Sequence, residues 1–252
     1  MRYTNKHGLP DAFYRAVVND SYDKGDSDFT ATGLETPPRA AALLEQHDVE
    51  IDVSTRVAVI IGRGAHATLE CAARPGIDII EQRFYREIEV DGVMYKIGAQ
   101  IDIYEGDTRT LQDWKTAKAF AFHKKSGSGN KPEWRSQLNI GKWVIEGNGL
   151  VVEHLRIIGL LKDWNKREIT TPGYPPVEVM SVEIEVWPTE KTEDYIRNKI
   201  RALVEAKKEL PLCSGKENWG GNRCGQWCDA ASVCSQYQES LKTGIIQKVE
   251  NW

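Results

Sequence analysis

The chain has 252 residues, 40% of them hydrophobic and 28% charged, with a net charge of −4. That length can bury a sizeable core, in one large domain or two small ones, and the composition is that of a soluble globular protein without an overall nucleic-acid charge signature. The longest aliphatic run, VAVII at 57–61, is too short to span a bilayer, and the opening MRYTNKHGLPDAF has no apolar signal core, so a cytoplasmic location is expected.

Residues 1–50 have a mixed pattern, with a turn-like YDKGDSD at 22–28 and a helix over TPPRAAALLEQH, where Pro38 suits the first turn. VAVIIGRGAHATLECAA is expected to be a buried helix carrying His66, with Cys71 as a packed thiol. IIEQRFYREIEV then runs into Asp91-Gly92, the strongest hairpin signal in the chain, and VMYKIGAQIDIY leaves it. After a turn at Glu105-Gly106-Asp107, RTLQDWKT forms a third strand. The polar loop KKSGSGNKP leads to the helix EWRSQLNIGKWVIEG, followed by strands over LVVEHLRIIGLL and VEVMSVEIEVW. TEKTEDYIRNKIRALVEAKKEL has a helical apolar period, and a cysteine-rich tail follows. The order predicts an α/β fold around a central mixed β-sheet flanked by helices.

In GAQIDIYEGDTRTLQDWKTAK, strand alternation turns Asp102 away from Ile101 and Ile103, and puts Asp113 and Lys115 on one face. A hairpin near Asp107-Thr108 brings Asp102 roughly across from Asp113. Two carboxylates so placed repel unless one is protonated or a divalent cation joins them. Mg²⁺ accepts such oxygen ligands and can polarise a phosphodiester, while Lys115 can offset developing negative charge. The plainer alternative is a surface ion pair between Asp113 and Lys115, with Asp102 solvated. Lys118, Lys124, Lys125, Lys131 and Arg135 follow almost at once, as a solvated basic face or a track for phosphates. Phe120, Phe122, Trp134 and Trp143 are core residues or stacking surfaces for unpaired bases.

Cys213, Cys224, Cys228 and Cys234 crowd a short C-terminal stretch. In a cytoplasmic chain four such thiols suit one tetrahedral zinc or a four-iron cluster, with free buried thiols as the plain alternative.

Asp102, ten intervening residues and Asp113-Trp114-Lys115 together resemble the PD-(D/E)XK nuclease signature. GRGAHATLE resembles the G-x-x-x-H motif of its RecB-like branch at Gly62 and His66. QLNIGKW resembles that branch's Q-x-x-x-Y motif at Gln137, with Gly141 where tyrosine is usual and Trp143 as its candidate substitute. LLKDW, YPP at 174–176 and the cysteine tail are similar to phage-encoded and CRISPR-associated members, so the likeness spans about residues 30 to 237.

The resemblance implies a restriction-endonuclease-like core with a C-terminal cysteine-cluster lobe. It implies a metal-dependent DNA nuclease, an exonuclease, using one or two Mg²⁺ or Mn²⁺ ions. His66, Asp102, Asp113 and the Trp114 carbonyl are the implied ligands; Asp102, Asp113, Lys115 and Gln137 are the implied catalytic set, with Glu70 and Glu81 as outer acids. Related nucleases hold an iron–sulfur cluster on three C-terminal cysteines and one in an N-terminal C-P-R motif. Here Pro37-Pro38-Arg39 stands at that place and Cys213 is the replacement, so [4Fe-4S] is expected, with Zn²⁺ as the alternative. Expected partners are DNA with single-stranded ends and recombination or CRISPR-adaptation proteins; the rival function is a non-cleaving DNA-binding module of such a complex. The expected domains are a nuclease domain over 1–210, with an N-terminal helical part to about 55 and a catalytic core over about 56–165, and a cysteine-rich tail over 211–252 packed on the core.

Overall fold

The computed structural model describes residues 1–19 and 24–244. Tyr22 and Asp23 of the turn-like stretch, and residues 245–252 of the tail, lie outside the described residues. In chain order the elements are β1 (Arg2–Thr4), α1 (Asp11–Val18), β2 (Phe29–Thr30), α2 (Pro38–Gln46), β3 (Glu50–Asp52) and α3 (Val57–Glu70). There follow β4 (Asp78–Val90), β5 (Val93–Glu105), β6 (Thr110–Ala117), α4 (Pro132–Glu146), β7 (His154–Leu161) and β8 (Val179–Ile184). The last are α5 (Thr189–Lys208), α6 (Asn222–Gln226) and α7 (Ser235–Lys242). Among the described residues no helix is long and apolar enough to cross a membrane.

The chain divides into two compact units. One comprises Met1–Asp20, Thr36–Arg56 and Asn198–Trp252; the other comprises Ser21–Glu35 and Val57–Arg197. The N-terminal segments thus group with the cysteine-rich segment, and the cut on the C-terminal side falls within α5.

The larger unit is the mixed sheet expected from the sequence. β4 and β5 form a long antiparallel hairpin, Val90 facing Val93 across a two-residue turn. Asp91 and Gly92 both have positive φ, 52° and 81°, as a turn matched to strand twist requires. The second turn passes so close to Ile77 that a Cβ on Gly106 would sit 2.3 Å from its carbonyl oxygen, which explains the glycine. β6 pairs antiparallel with β5 and parallel with β7, and β8 closes the edge antiparallel to β7. The parallel step is a crossover through α4, whose Leu138 and Ile145 join a core with Leu111, Leu155, Ile157 and Ile184.

One detail of register positions the site. β6 leaves β5 after the pair Ile103–Gln112, and the freed edge is taken by β2 only at Ile97 and Gly98. Between those contacts, at residues 99–102, β5 has a strand partner on its β4 side alone. The sheet forks there.

Some expectations change. The helix α3 buries only Leu69 fully, and Val57 and Ile61 are 51% and 40% exposed, so it is not the buried helix its composition predicts. Cys71 is exposed rather than packed, beyond the last turn of that helix. The short strands β1, β2 and β3 pair in parallel with distant segments, a non-local feature that periodicity over two or three residues does not reveal.

Candidate active site

At the fork the extrapolated register sets Asp102 directly across from Asp113, because Ile103 faces Gln112 and the strands are antiparallel. The carboxylates therefore share a face of the sheet. Asp102 is 9% exposed and Asp113 6%. Asp102 Oδ2 accepts the main-chain N–H of Trp114 at 2.6 Å, taking a donor that the ladder leaves unused. Burial, and then the charge of Asp113, push the Asp102 carboxyl up to about 7.

Asp113 is gripped from β6 and α4. Lys115 Nζ donates to its Oδ1 at 2.9 Å and lies 2.7 Å from Oδ2. Gln137 spans the pair with both ends of its amide: Nε2 donates to Asp113 Oδ1, and Oε1 accepts from Lys115 Nζ, each at 3.2 Å. Oδ2 is buried and faces the same ammonium as an ion pair, without hydrogen-bond geometry.

The helix α3 brings His66 to the opposite side. Its Nδ1 lies 2.6 Å from Glu81 Oε1 and 3.7 Å from Asp102 Oδ1. His66, Glu81 and Asp102 each present a ligand atom within 4.8 Å of the others. The hydrogen bond to Glu81 is the main cause that raises the His66 pKa. Burial pulls the Glu81 carboxyl up, but hydrogen bonds from His66 and Gln100 outweigh it and leave the group below its ordinary value. Glu81 has φ 48° in mid-strand, a sparsely populated conformation for a residue with a side chain. Gly62, four residues before His66, is close enough to β6 that a Cβ would lie 3.8 Å from Thr116 Oγ1.

The structure thus gathers His66, Asp102, Asp113, Lys115 and Gln137, and adds Glu81, which spacing alone kept only as an outer acid. Glu70 is exposed at the end of α3 and outside the trio. Gly141 lines the same pocket as Asp102, Asp113 and Gln137. Trp143 does not replace a tyrosine there: it is 2% exposed, lies under the Arg86 guanidinium at 4.2 Å and donates to Glu193. Of the basic track, Lys118, Lys124 and Lys125 are exposed. Lys131 is folded onto the Trp134 ring at 4.7 Å, where burial lowers its pKa, and the Arg135 Nε is buried without an acceptor.

In the smaller unit the four tail cysteines are close enough to act on one another. Burial first, then Glu217 and the other three cysteines, push the Cys213 thiol up to about 12. Burial also raises Cys224 and Cys228, with neighbouring cysteines adding to it. Cys224, Cys228 and Cys234 pack with Ala40 and Leu43 of α2, beside the position of Pro37. Arg39 Nε donates to Cys234 Sγ at 3.2 Å, and Gln236 clamps the backbone of Cys213 through both its N–H and its carbonyl.

No protein-family profile matches the chain, and no curated relative does so by sequence. Among solved structures, the crystal structure of SSO0001 overlaps with a TM-score of 0.58 at 16% identity, covering 88% of this chain and 94% of that one. A phage-related exonuclease from Haemophilus somnus 129PT overlaps more loosely, with a TM-score of 0.41 at 13% identity over 79% of this chain and 92% of that one. LHK-Exo, solved in complex with dAMP, gives 0.34 at 15% identity over 72% and 90%. The overlap with SSO0001 is one of fold, and the order seen here is a helix, three antiparallel strands with acids on the second and third, a crossover helix and a parallel strand.

Proposed function

We propose that the chain is a divalent-metal-dependent DNA nuclease, an exonuclease acting in recombination, repair or DNA processing. The observation that carries this reading is the convergence of two facing buried carboxylates, a lysine two residues on and a His–Glu pair at one fork of the sheet. The trio of His66, Glu81 and Asp102 is oxygen-rich with one imidazole, and Asp113 faces Asp102 from the next strand with its carboxylate paired to Lys115. That set fits Mg²⁺ or Mn²⁺, held by Asp102, Asp113, His66 and Glu81 with the Trp114 carbonyl. Such an ion, when bound, polarises the phosphodiester and supplies a nucleophile at neutral pH.

The chain's own residues supply the rest. Lys115 presents an ammonium beside Asp113, where it offsets negative charge growing on the phosphate oxygens. Gln137 fixes that ammonium and the Asp113 carboxylate in one geometry through both ends of its amide. Trp114 N–H holds the Asp102 carboxylate in place. The exposed Lys118, Lys124 and Lys125 follow on the same chain segment and suit the flanking phosphates.

The cysteines of the smaller unit are read as ligands of a [4Fe-4S] cluster. Among the described residues only His66, Glu81 and Asp102 bring three ligand atoms within 4.8 Å of one another. The four thiols lie in one short segment and none is in a disulfide, which suits a four-iron cluster or a zinc ion. Either group would staple this unit and contribute folding free energy.

The test is cleavage of labelled single- and double-stranded DNA with Mn²⁺, with and without EDTA. Lys115→Ala and Asp113→Ala are each expected to lose at least about 100-fold in rate, and EDTA to abolish cleavage. Parental rates in either variant would remove the nuclease reading, and binding without cleavage by the wild type would favour the non-cleaving module. For the cysteines, anaerobically purified protein is expected to be brown; a colourless protein with stoichiometric zinc would overturn the cluster.

A further inference from the structure

Just beyond β6 the chain makes a single 3₁₀ turn over Ala119–Phe122 and places its side chains unequally. Ala119, Ala121 and Phe122 are buried, while Phe120 is 67% exposed. The turn is pinned on several sides. Ala119 N–H donates to Asp163 Oδ1 at 2.6 Å, Gly129 N–H to the Ala121 carbonyl at 3.0 Å, and the Ser126 hydroxyl to the Phe120 carbonyl. Phe122 packs against Trp134 with ring centroids 5.7 Å apart, in space that Gly159 leaves open by lacking a Cβ. A backbone held this firmly keeps the Phe120 ring outside. Behind it lies His123, stacked at 6.2 Å between centroids and 27° between planes.

The surroundings are cationic. Lys118, Lys124 and Lys125 are exposed, and among the described residues none of them is within ion-pair distance of a carboxylate. A second basic segment is laced to this one: Lys162 N–H donates to the Ala117 carbonyl, and Lys124 N–H to that of Gly173, both at 3.0 Å. It adds Lys162, Lys166 and Arg167, all exposed, against Asp163 and Glu168. Phe120 follows Lys115 by five residues, at most about 18 Å of extended chain, a reach of a few nucleotides. A projecting aromatic face inside a lysine-rich rim matches an unpaired base carried on a phosphate backbone.

We propose that Phe120, backed by His123, is a stacking shelf for an unpaired base of single-stranded DNA, whose phosphates lie along Lys118, Lys124, Lys125 and Lys162. This deepens the nuclease reading and rests on it for the direction in which the strand continues toward Lys115. The shelf makes single-stranded DNA, or the frayed end of a duplex, the substrate form that the surface selects.

The experiment is binding of a short single-stranded oligonucleotide carrying 2-aminopurine to the full chain in EDTA, followed by anisotropy and by quenching of the base. Wild type is expected to bind and quench. Phe120→Ala is expected to weaken binding roughly 5- to 150-fold and abolish the quenching, with an unchanged circular dichroism spectrum because the ring is exposed. Phe120→Trp is expected to restore both, and a blunt duplex to be indifferent to Phe120→Ala. The proposal is overturned if the wild type does not bind the single strand, if Phe120→Ala binds it as well, or if an abasic oligonucleotide suffers the same loss. Because cleavage is silent in EDTA, the two readings fail separately. A chain that stacks through Phe120 but never cuts DNA keeps the shelf, and one that cuts through Lys115 but ignores Phe120 loses only the shelf.

Discussion

Asp102 accepts the main-chain N–H of Trp114 at 2.6 Å, one residue beyond its register partner Asp113. A carboxylate thus stands in for a strand's carbonyl where the sheet forks, and the bond aims one oxygen while leaving the other toward His66. An asparagine keeps an acceptor for that N–H but removes the charge facing Asp113. Asp102→Asn is therefore expected to unfold at or above the wild-type temperature in EDTA. Saturating Mn²⁺ should then stabilise only the wild type, by about 2.7 kcal/mol at a hundred times Kd. Thermal unfolding of both proteins with and without Mn²⁺ checks this. Equal stabilisation of the variant would show that the ion is held elsewhere.

Gln100 is a positioning residue for Glu81. Its Nε2 donates to Glu81 Oε2 at 2.8 Å and its Oε1 accepts from Arg83 Nη2 at 2.8 Å, while Glu81 Oε1 faces His66. Losing an outer partner of this kind typically costs about 10- to 100-fold in metal affinity. Gln100→Ala is expected to show that loss by calorimetric titration with Mn²⁺, without a large fall in thermal stability. Wild-type affinity in the variant would mean that Glu81 is held by its backbone alone.

Arg74 bridges the start of β4 to the turn before β6, donating to Asp78 at 2.7 Å and to Asp107 at 2.8 and 2.9 Å. Its hydrogen bonds are the main cause that lowers the pKa of both carboxyls. With folded values below the unfolded value of about 3.9, the contribution is complete above that pH and disappears as pH falls through the depressed values. The Tm gap between wild type and Arg74→Ala is therefore expected to be widest at neutral pH and to close below about pH 4. Melting curves across that range test it, and a gap independent of pH would assign the effect of Arg74 to packing.

The parts of this fold that local rules govern were legible in the sequence. Asp91-Gly92 demands a tight hairpin, strand alternation gives Asp102 and Asp113 a common face, and Pro38 does open α2. What was hidden depends on distant chain. Glu81 reads only as an outer acid beside Glu70, and only the fold brings it to His66. Lys131 reads as part of a cationic run, yet its stem lies on Trp134, a contact that charge counting cannot anticipate. Trp143 follows Gly141 by two residues on a helix, which turns it to another side, so no substitution for the usual tyrosine was available to it.

Gly141 itself has room for a methyl group. An added Cβ would lie 3.5 Å from Leu111 Cδ2, an ordinary contact, and the residue is inside α4. Gly141→Ala is expected to stabilise the protein by roughly 0.5–1 kcal/mol through helix entropy. Denaturant midpoints decide this; destabilisation would show that the pocket beside Gln137 tolerates no added volume.

Arg39 is 4% exposed and distributes its three nitrogens over the cysteine-bearing unit: Nε to Cys234 Sγ, Nη1 to the Pro211 carbonyl and Nη2 to Ser235 Oγ, the last two at 2.8 Å. A buried guanidinium used in this way ties α2 to the segments on both sides of the cysteines. Arg39→Ala is expected to cost roughly 2–3 kcal/mol, since hydrogen bonds involving a charged group are worth about 1.5–3 kcal/mol each and the acceptors would be left without a donor. Arg39→Lys should recover little, because an ammonium cannot reproduce the planar fork. Urea unfolding of the three proteins measures the difference. A wild-type midpoint for Arg39→Ala would show that the other contacts of this unit hold it together without the arginine.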